Sequence, residues 1–215
     1  DSQPKVVSTL DGGLDQIIAK SIPVSFTQSR FYPSGLPSNN NKVDLNHTLW
    51  ARIHGDFSAQ RLDKAVQTVG QQHEILRTAF FNDVDGKPMQ HVMNRSRLHL
   101  EHLEVDDESD VARMGMSIQK THVYNVARGD TLRVILLNGR AGEQYLIVGA
   151  HPLVLDATSL IKFFNLLATN YANPNVPAGH VKQFAEVSQQ QHDDYAQGKF
   201  QIELKYWKKE FSTPP

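Results

Sequence analysis

The sequence of 215 residues contains no cysteine. A disulfide, a cysteine nucleophile and a thiolate metal site are therefore excluded, and the composition fits a cytoplasmic protein. Acidic and basic residues nearly balance, with a net charge of −1, so neither a nucleic acid nor an anionic membrane is an expected partner. No apolar run approaches the roughly 18 residues that a membrane span requires. These absences predict a cytoplasmic protein that binds neither nucleic acid nor membrane.

Motifs for phosphate and metal binding are also missing. The sequence has neither a GxxxxGK[ST] loop nor a GxGxxG loop. Its ten histidines form no HExxH motif and no cluster with acidic residues at ligand spacing. His99 and His102, for example, are three residues apart on a predicted strand and would face opposite sides. We therefore predict no metal site and no cofactor held by this chain.

Composition favours a globular protein with a real core, because 40% of the residues are hydrophobic and 21% are charged. The length fits one domain or one lobe of a larger domain. The sequence does not begin with methionine, and it ends in Ser-Thr-Pro-Pro, which resembles a linker. We expect the chain to be a piece of a longer protein.

The spacing of apolar residues predicts a mixture of strands and helices. Asp85-Gly86 is a strong hairpin signal, and the uniformly apolar stretch 145–150 predicts a central strand covered on both faces. Ser58 is placed to cap a helix. The predicted strands are 44–56, 78–84, 87–93, 98–103, 132–137 and 144–150; the predicted helices are 59–73, 110–124 (with Val111, Met114, Ile118 and Val123 inward), 157–171, 181–197 and 200–211, besides a short helical turn within 12–22. This mixture predicts an α+β fold in which a sheet packs against helices.

Three short stretches carry candidate functional residues. The stretch 151–157, HPLVLDA, offers His151 as a general base and Asp156 as a carboxylate near it. The stretch 72–80, QHEILRTAF, brings His73, Glu74 and Arg77 to a helix end. Its chemistry favours a structural role, since Glu74 and Arg77 can pair and Arg77 complements the helix dipole.

The third stretch, 25–32, reads SFTQSRFY and contains Gln28 and Arg30. It predicts a strand end that passes into a helix start, with Ser25 or Thr27 as the cap. On its own this stretch indicates no particular chemistry.

Taken together and in chain order, these stretches resemble the signature motifs of nonribosomal peptide synthetase condensation domains. SFTQSRFY resembles SxAQxRxWF, QHEILRTAF resembles RHExLRTxF with Gln72 in place of the first arginine, and HPLVLDA resembles HHxxxDG. The stretches 194–196 and 206–207 resemble the DYAxW and YW segments of the same family. The residues around these motifs are most similar to those of condensation domains in fungal polyketide synthase–peptide synthetase hybrids. A narrower hypothesis is a condensation domain of a truncated hybrid, of the kind typified by lovastatin nonaketide synthase.

This resemblance implies a chloramphenicol-acetyltransferase-like lobe with a mixed sheet flanked by helices. Family members have two such lobes in a V, and carrier-bound arms enter a tunnel between them. Residues 21–207 would be the N-terminal lobe, 1–20 a linker and lead-in segment, and 208–215 the start of the connection to a missing C-terminal lobe. The implied partners are that lobe, an acyl carrier protein with its phosphopantetheine arm as a transient ligand, and other megasynthase domains.

The register of HPLVLDA then decides which residue holds the catalytic place. In the family the second histidine of HHxxxDG is placed for catalysis, while the first histidine and the aspartate are structural and the aspartate pairs with an arginine. Counting back three spacer residues from Asp156 puts Pro152 in the catalytic place and His151 in the first. Ser159 supports this register, because the family often reads DGxS, and Ala157 replaces the glycine.

Proline at this position removes the general base, because its side chain has no titratable, donor or acceptor group. Proline also suits a strand end. If Pro152 faces the tunnel, His151 faces the packed side as a hydrogen-bonded core histidine. Pro152, Ala157 and Ser159 are therefore candidates for lining the tunnel, where the extra methyl of Ala157 would narrow it.

The first functional hypothesis is therefore a condensation-type lobe of a fungal secondary-metabolite megasynthase without amide-forming catalysis. It would serve as a scaffold or binding platform for a carrier-tethered acyl chain. In the alternative, a local bulge brings His151 into the catalytic place and the domain is an active acyltransferase. A weaker option is a related acyltransferase using free acyl-CoA, although such enzymes keep HxxxD and this spacing lacks it.

Asp156 is expected either to cap the following helix or to pair with Arg30, Arg77, Arg133 or an arginine of the missing lobe.

Overall fold

The computed structural model describes residues 18–32, 46–140, 142–174 and 181–212, which form two sheets and the helices around them. The strands are β1 Ile18–Pro23, β2 His47–Ile53, β3 Thr78–Asn82, β4 Pro88–Met93, β5 Leu100–Val105, β6 Leu132–Gly139 and β7 Gln144–Ala150. The α-helices are α1 Gln28–Phe31, α2 Ala59–Gln72, α3 Glu108–Thr121, α4 Ala157–Ala172, α5 Phe184–Ala196 and α6 Gln201–Glu210. Two 3₁₀ turns span Glu74–Arg77 and Val126–Arg128.

The smaller sheet is antiparallel, with strand order β1-β4-β3. Its β3–β4 hairpin is as predicted, because Gly86 has φ +78° at the turn and Asp83 Oδ1 accepts the N–H groups of Asp85 and Lys87. The predicted helical turn within 12–22 is wrong where it can be checked. Residues from Ile18 onward form β1, because they pair with strand β4 and form no helix. The rest of that prediction lies outside the described residues.

The larger sheet has the order β2-β7-β6-β5 and is mixed, because β5 runs parallel to β6 while the other pairs are antiparallel. Alternate residues of β6 belong to two separate cores. Val134 and Leu136 pack with α2 and α4, whereas Ile135 and Leu137 pack with α3. Helices therefore cover both faces of β6 and β7, and the predictions of a covered central strand and of an α+β fold with a mixed sheet are confirmed.

Helices α2 and α4 begin at the predicted residues, 59 and 157, whereas α3 begins at Glu108 instead of residue 110 and α5 begins at Phe184 instead of residue 181. Ser58 Oγ accepts the N–H of Arg61, which is the predicted cap of α2. In α3 the inward positions Val111 and Ile118 are buried. The prediction for Val123 is wrong, because α3 ends at Thr121 and the Val123 side chain is 54% exposed beyond it. No helix among the described residues is long and apolar enough to span a membrane.

Glycine allows α3 to approach the larger sheet closely. A Cβ atom added to Gly115 would lie 2.5 Å from the Trp50 ring of β2. A Cβ atom added to Gly149 of β7 would lie 2.5 Å from Cγ2 of Ile118 and 2.8 Å from the hydroxyl of Tyr124. The absence of side chains at these two positions sets the distance between helix and sheet.

Residues of the third motif lie along one edge of the larger sheet, the edge that is formed by the ends of its strands. Ala150, the last residue of β7, lies opposite both His47 at the start of β2 and Leu132 at the start of β6. The chain that follows β7 therefore emerges beside the segments that precede β2 and β6. His151 and Pro152 lie at this edge.

Candidate functional site

The chain turns sharply after β7, and Pro152 is the second residue of that turn. The N–H of Val154 donates to the carbonyl of His151 at 3.0 Å, and the N–H of His151 donates to the carbonyl of Thr131 at 2.9 Å. Proline suits the second position of a turn because its ring fixes φ. Pro152 therefore has a local structural reason to be present.

Pro152 lines a cavity of about 430 Å³, which we call the proline cavity. All three sequence motifs contribute to its wall, through Gln28, His73 and the segment from Pro152 to Asp156. The rest of the wall combines apolar side chains, among them Leu76, Phe163 and Leu166, with polar ones such as Lys162. Among the candidates for lining a tunnel, Pro152 and Ser159 lie in this wall, while Ala157 is exposed at the start of α4 and lies outside it. The structure thus brings the three motifs together around one cavity.

His151 does not belong to the wall of the proline cavity. Its Nδ1 accepts the N–H of Leu153 at 3.2 Å, and its ring lies edge-on to Tyr124 with centroids 6.2 Å apart. Because Nδ1 accepts, the ring proton of the neutral imidazole lies on Nε2. Burial lowers the pKa of His151 to about 4, since the charged form would lose its solvation. The imidazole is therefore neutral at physiological pH and held by the turn itself.

Asp156 is the N-cap of α4. Its Oδ1 accepts the N–H of Ser159 at 2.7 Å, and this hydrogen bond lowers the pKa of the Asp156 carboxyl. The predicted cap is confirmed. The carboxylate is exposed to solvent, so it carries no penalty of burial that an arginine would have to offset.

The ion pair predicted as the other role of Asp156 is wrong for every arginine named that the structure describes. Arg77 lies beside Glu74, and the guanidinium of Arg133 pairs with Glu101. Arg30 is exposed on α1 and makes no pair with Asp156. A pair with an arginine of a second lobe stays a prediction.

Substitutions at Asp156 are expected to separate a cap from an ion pair. Asp156→Ala should lower the free energy of unfolding by about 1 kcal/mol, because the N–H groups at the start of α4 lose their acceptor. Asp156→Asn, which also caps, should cost much less. Because the folded pKa is lowered, the advantage of aspartate is present above its ordinary pKa of 3.8 and disappears as the pH falls through the folded value. Urea unfolding between pH 2.5 and 7 measures both effects, and a loss of about 3 kcal/mol or more in Asp156→Asn would instead indicate a broken ion pair.

Glu74 and Arg77 of the second motif contact β1, β4 and α2. Glu74 Oε1 lies 2.7 Å from Nζ of Lys20 in β1 and 3.8 Å from the guanidinium of Arg77, so the predicted Glu74–Arg77 pair is confirmed. Arg77 also donates to the carbonyls of Met93 in β4 and Gln71 in α2. The contact with Gln71 is made to the last turn of α2, where a cation complements the helix dipole. This part of the motif is structural.

His73 sits at the junction between α2 and the 3₁₀ turn, and its side chain lines the proline cavity. Burial lowers its pKa. The segment around it is fixed by Gln183, which donates to the carbonyl of Gln72 at 3.1 Å and accepts the N–H of Glu74 at 2.9 Å. Sequence reasoning missed Gln183, because a glutamine far along the chain carries no local signal for this role.

Gln28 links the first motif to the third. Its Oε1 accepts the N–H of Ser25 at 2.9 Å, and its Nε2 donates to the carbonyl of Leu153 at 3.0 Å. Ser25 Oγ in turn accepts the N–H of Gln28 at 3.1 Å, so Ser25 is the cap, and the side chain of Thr27 is not. Because Gln28 is buried, these bonds fix the position of the turn that carries Pro152.

One further histidine lines the proline cavity, namely His47 at the start of β2. It belongs to none of the three motifs. The residues that the structure describes include no group of three His, Asp or Glu side chains placed to hold a metal ion.

Comparison with solved structures places the fold among condensation domains. The condensation domain from the Monacolin K polyketide synthase MokA matches with a TM-score of 0.78 and 23% identity, over 90% of this chain and 43% of that one. The first condensation domain of the calcium-dependent antibiotic synthetase, in complex with a substrate analogue, matches with a TM-score of 0.76 and 17% identity, over 92% and 50%. The fold is therefore a chloramphenicol-acetyltransferase-like lobe.

Comparison of sequences gives the family. The condensation domain family model matches residues 18–214. The polyketide synthase–nonribosomal peptide synthetase TwmB of Talaromyces wortmannii is 56% identical over 197 residues, which are 92% of this chain and 6% of that protein. The hybrid synthetase cheA of Chaetomium globosum is 36% identical over 217 residues, all of this chain and 4% of that protein. The chain belongs to the condensation domain family, and it spans about one twentieth of the length of these relatives.

Proposed function

We propose that this chain is the N-terminal lobe of a condensation-type domain in a fungal polyketide synthase–peptide synthetase, and that the domain binds a carrier-tethered acyl chain without forming an amide. The observation that carries the proposal is Pro152 in the wall of the proline cavity, at the place of the motif's second histidine. General acid–base help is worth about 10²–10⁴ in rate. A site without that help positions a substrate but turns it over slowly.

The position of His151 supports the same proposal. Its Nδ1 is engaged by the N–H of Leu153, and its side chain lies outside the cavity wall. To act as the base, the imidazole would have to give up this hydrogen bond and turn toward the cavity. That movement would leave the N–H of Leu153 without its acceptor, which opposes the rotation.

The shape and chemistry of the proline cavity fit an acyl chain. Phe163 and Leu166 of α4 and Leu76 give it an apolar wall. Burial of each methylene of a ligand against such a wall contributes about 0.8 kcal/mol. The chain would arrive on the phosphopantetheine arm of an acyl carrier protein, and a second lobe and other synthase domains would complete the assembly. No cofactor held by the lobe is part of this proposal, and a cytoplasmic location stays a prediction.

Amide formation tests the catalytic half of the proposal. The parent synthase, with its carrier loaded with an acyl donor and an amine acceptor supplied, should turn over slowly, and His151→Ala should leave that rate unchanged. Robust turnover that His151→Ala abolishes would refute the proposal and favour the alternative, in which His151 is the general base.

Ligand binding tests the other half. A chain-length series of acyl pantetheines should bind more tightly as the chain lengthens, and Leu166→Asp should weaken binding of a long chain at least tenfold by placing a charge in the wall. Ile161→Asp is the matched control, since Ile161 lies on the same helix but is 56% exposed. Equal affinities for the two variants would contradict an acyl site in the proline cavity.

A further inference from the structure

A second cavity, of about 500 Å³, opens at the same edge of the larger sheet. It is lined by the segment after β4, the start of β5 and the segment that leads into β6. Two acidic residues, Glu101 and Asp130, also line it. We call it the arginine cavity, because its wall contains Arg77, Arg95, Arg97, Arg128 and Arg133. Five guanidinium groups against two carboxylates leave an excess of three positive charges, counted without histidines.

Only part of the excess positive charge is neutralised within the structure. Arg133 pairs with Glu101, and Arg77 lies beside Glu74 and donates to the carbonyl of Met93. By contrast, Arg95, Arg97 and Arg128 make no ion pair or side-chain hydrogen bond with any residue that the structure describes. All three side chains are exposed, so water screens their mutual repulsion, and Asp130 in the same wall offsets one of their charges. The positive charge that remains attracts an anion to the cavity.

An independent observation also indicates a missing partner. Thr131 lines the arginine cavity and is only 1% exposed, yet its Oγ1 has no hydrogen-bond partner among the described residues. Nε2 of His122, in the same wall, is also buried without such a partner. A buried polar group that makes no hydrogen bond costs about 1–3 kcal/mol. Both groups can donate, so a ligand that accepts hydrogen bonds would remove this cost.

We infer that the arginine cavity binds the phosphate group of a small ligand. Arginine forks match phosphate geometry, and here they come from separate segments of the chain, with the hydroxyl of Thr131 and the imidazole of His122 in the same wall. A tetrahedral phosphate can accept hydrogen bonds from several donors at once, whereas a planar carboxylate offers only two oxygens in one plane. A phosphate dianion also matches the positive excess more closely than a single carboxylate does.

This inference is independent of the proposed function. It rests on the charges and the unpartnered donors of the arginine cavity, whereas the proposed function rests on Pro152 in the proline cavity. Leu76 is the one residue that contributes to both walls. A failure of either idea would leave the other standing.

Titration of the parent synthase with inorganic phosphate, followed by the ³¹P linewidth, tests the inference. Arg97→Gln combined with Arg128→Gln should weaken binding at least tenfold, because a hydrogen bond to a charged group is worth about a factor of ten or more. Thr131→Val, which keeps the shape and removes the hydroxyl, should weaken it about threefold or more. Arg52→Gln is the control, since Arg52 is exposed on β2 outside this cavity, and it should bind phosphate as the parent does.

The source of the phosphate is distinguished by a second series. Tighter binding of glycerol 3-phosphate than of inorganic phosphate would assign a phosphate ester, and equal or weaker binding would assign free phosphate. Circular dichroism of the variants establishes that they are folded. The inference is overturned if the parent binds no phosphate, if the double variant binds it as well as Arg52→Gln does, or if succinate binds as tightly as phosphate.

Discussion

Replacing Pro152 with histidine is expected to raise the rate of amide formation by about 10²-fold over Pro152→Ala, near the lower end of what a general base contributes. The expected gain has a structural basis, because the side chain at position 152 already lies in the wall of the proline cavity. Proline has no N–H, so the substitution removes no backbone hydrogen bond. The assay is single-turnover amide formation in the parent synthase.

The comparison with Pro152→Ala is needed because both variants lose the proline ring. Loss of a proline that fits its turn costs about 0.4–1 kcal/mol of stability through the unfolded state, and the two variants share that cost. Any difference in rate then belongs to the imidazole. The rate with histidine should also rise with pH through the pKa of the new imidazole, as expected for a base. Equal rates for the two variants would show that the loss of the base is not what limits this site.

Gly149→Ala is expected to lower the free energy of unfolding by about 1–3 kcal/mol, because it overpacks the contact between β7 and α3. The new methyl would lie 2.5 Å from Cγ2 of Ile118 and 2.8 Å from the hydroxyl of Tyr124, both in the core. Urea unfolding measures the loss through the midpoint at an unchanged slope.

Tyr124→Phe provides the internal control for that result. The Tyr124 hydroxyl is buried and has no hydrogen-bond partner among the described residues, so its removal alone should be neutral or slightly stabilising. In the Tyr124→Phe background, Gly149→Ala should cost less, with a coupling of at least about 0.5 kcal/mol. Additive effects of the two substitutions would mean that the hydroxyl is not part of the clash.

Local sequence patterns predict most of the elements, because helices and strands leave a period and a cap in the sequence. The cap at Ser58, the hairpin at Gly86 and the covered strand β7 follow from residues that are near one another in the chain. The motifs also predict that Gln28, His73 and Pro152 share a site, although this comes from the family resemblance and not from periodicity. The error at Val123 arises from periodicity, because an apolar residue at helical spacing extended the predicted helix three residues past the observed end of α3.

Contacts between distant segments could not be predicted. Glu74 is contacted by Lys20 and Gln183, which lie far from it in the sequence. Glu101 pairs with Arg133, which was one of the arginines named as a partner for Asp156. Nothing local distinguishes one arginine from another as a partner. The arginine cavity could not be predicted for the same reason, because its arginines are distant from one another in the sequence and come together only in the folded chain.

The pairing of β2 with β7 has a consequence for how the chain folds during synthesis. His47 pairs with Ala150, so the larger sheet cannot be completed until residue 150 has left the ribosome. β5, α3 and β6 form a compact parallel unit from neighbouring residues and can assemble earlier. The turn that carries Pro152 and the wall of the proline cavity therefore form last. This order leaves β2 and its apolar side chains without their partner strand for about 100 residues of elongation, which lasts several seconds at ordinary rates and exposes them to aggregation.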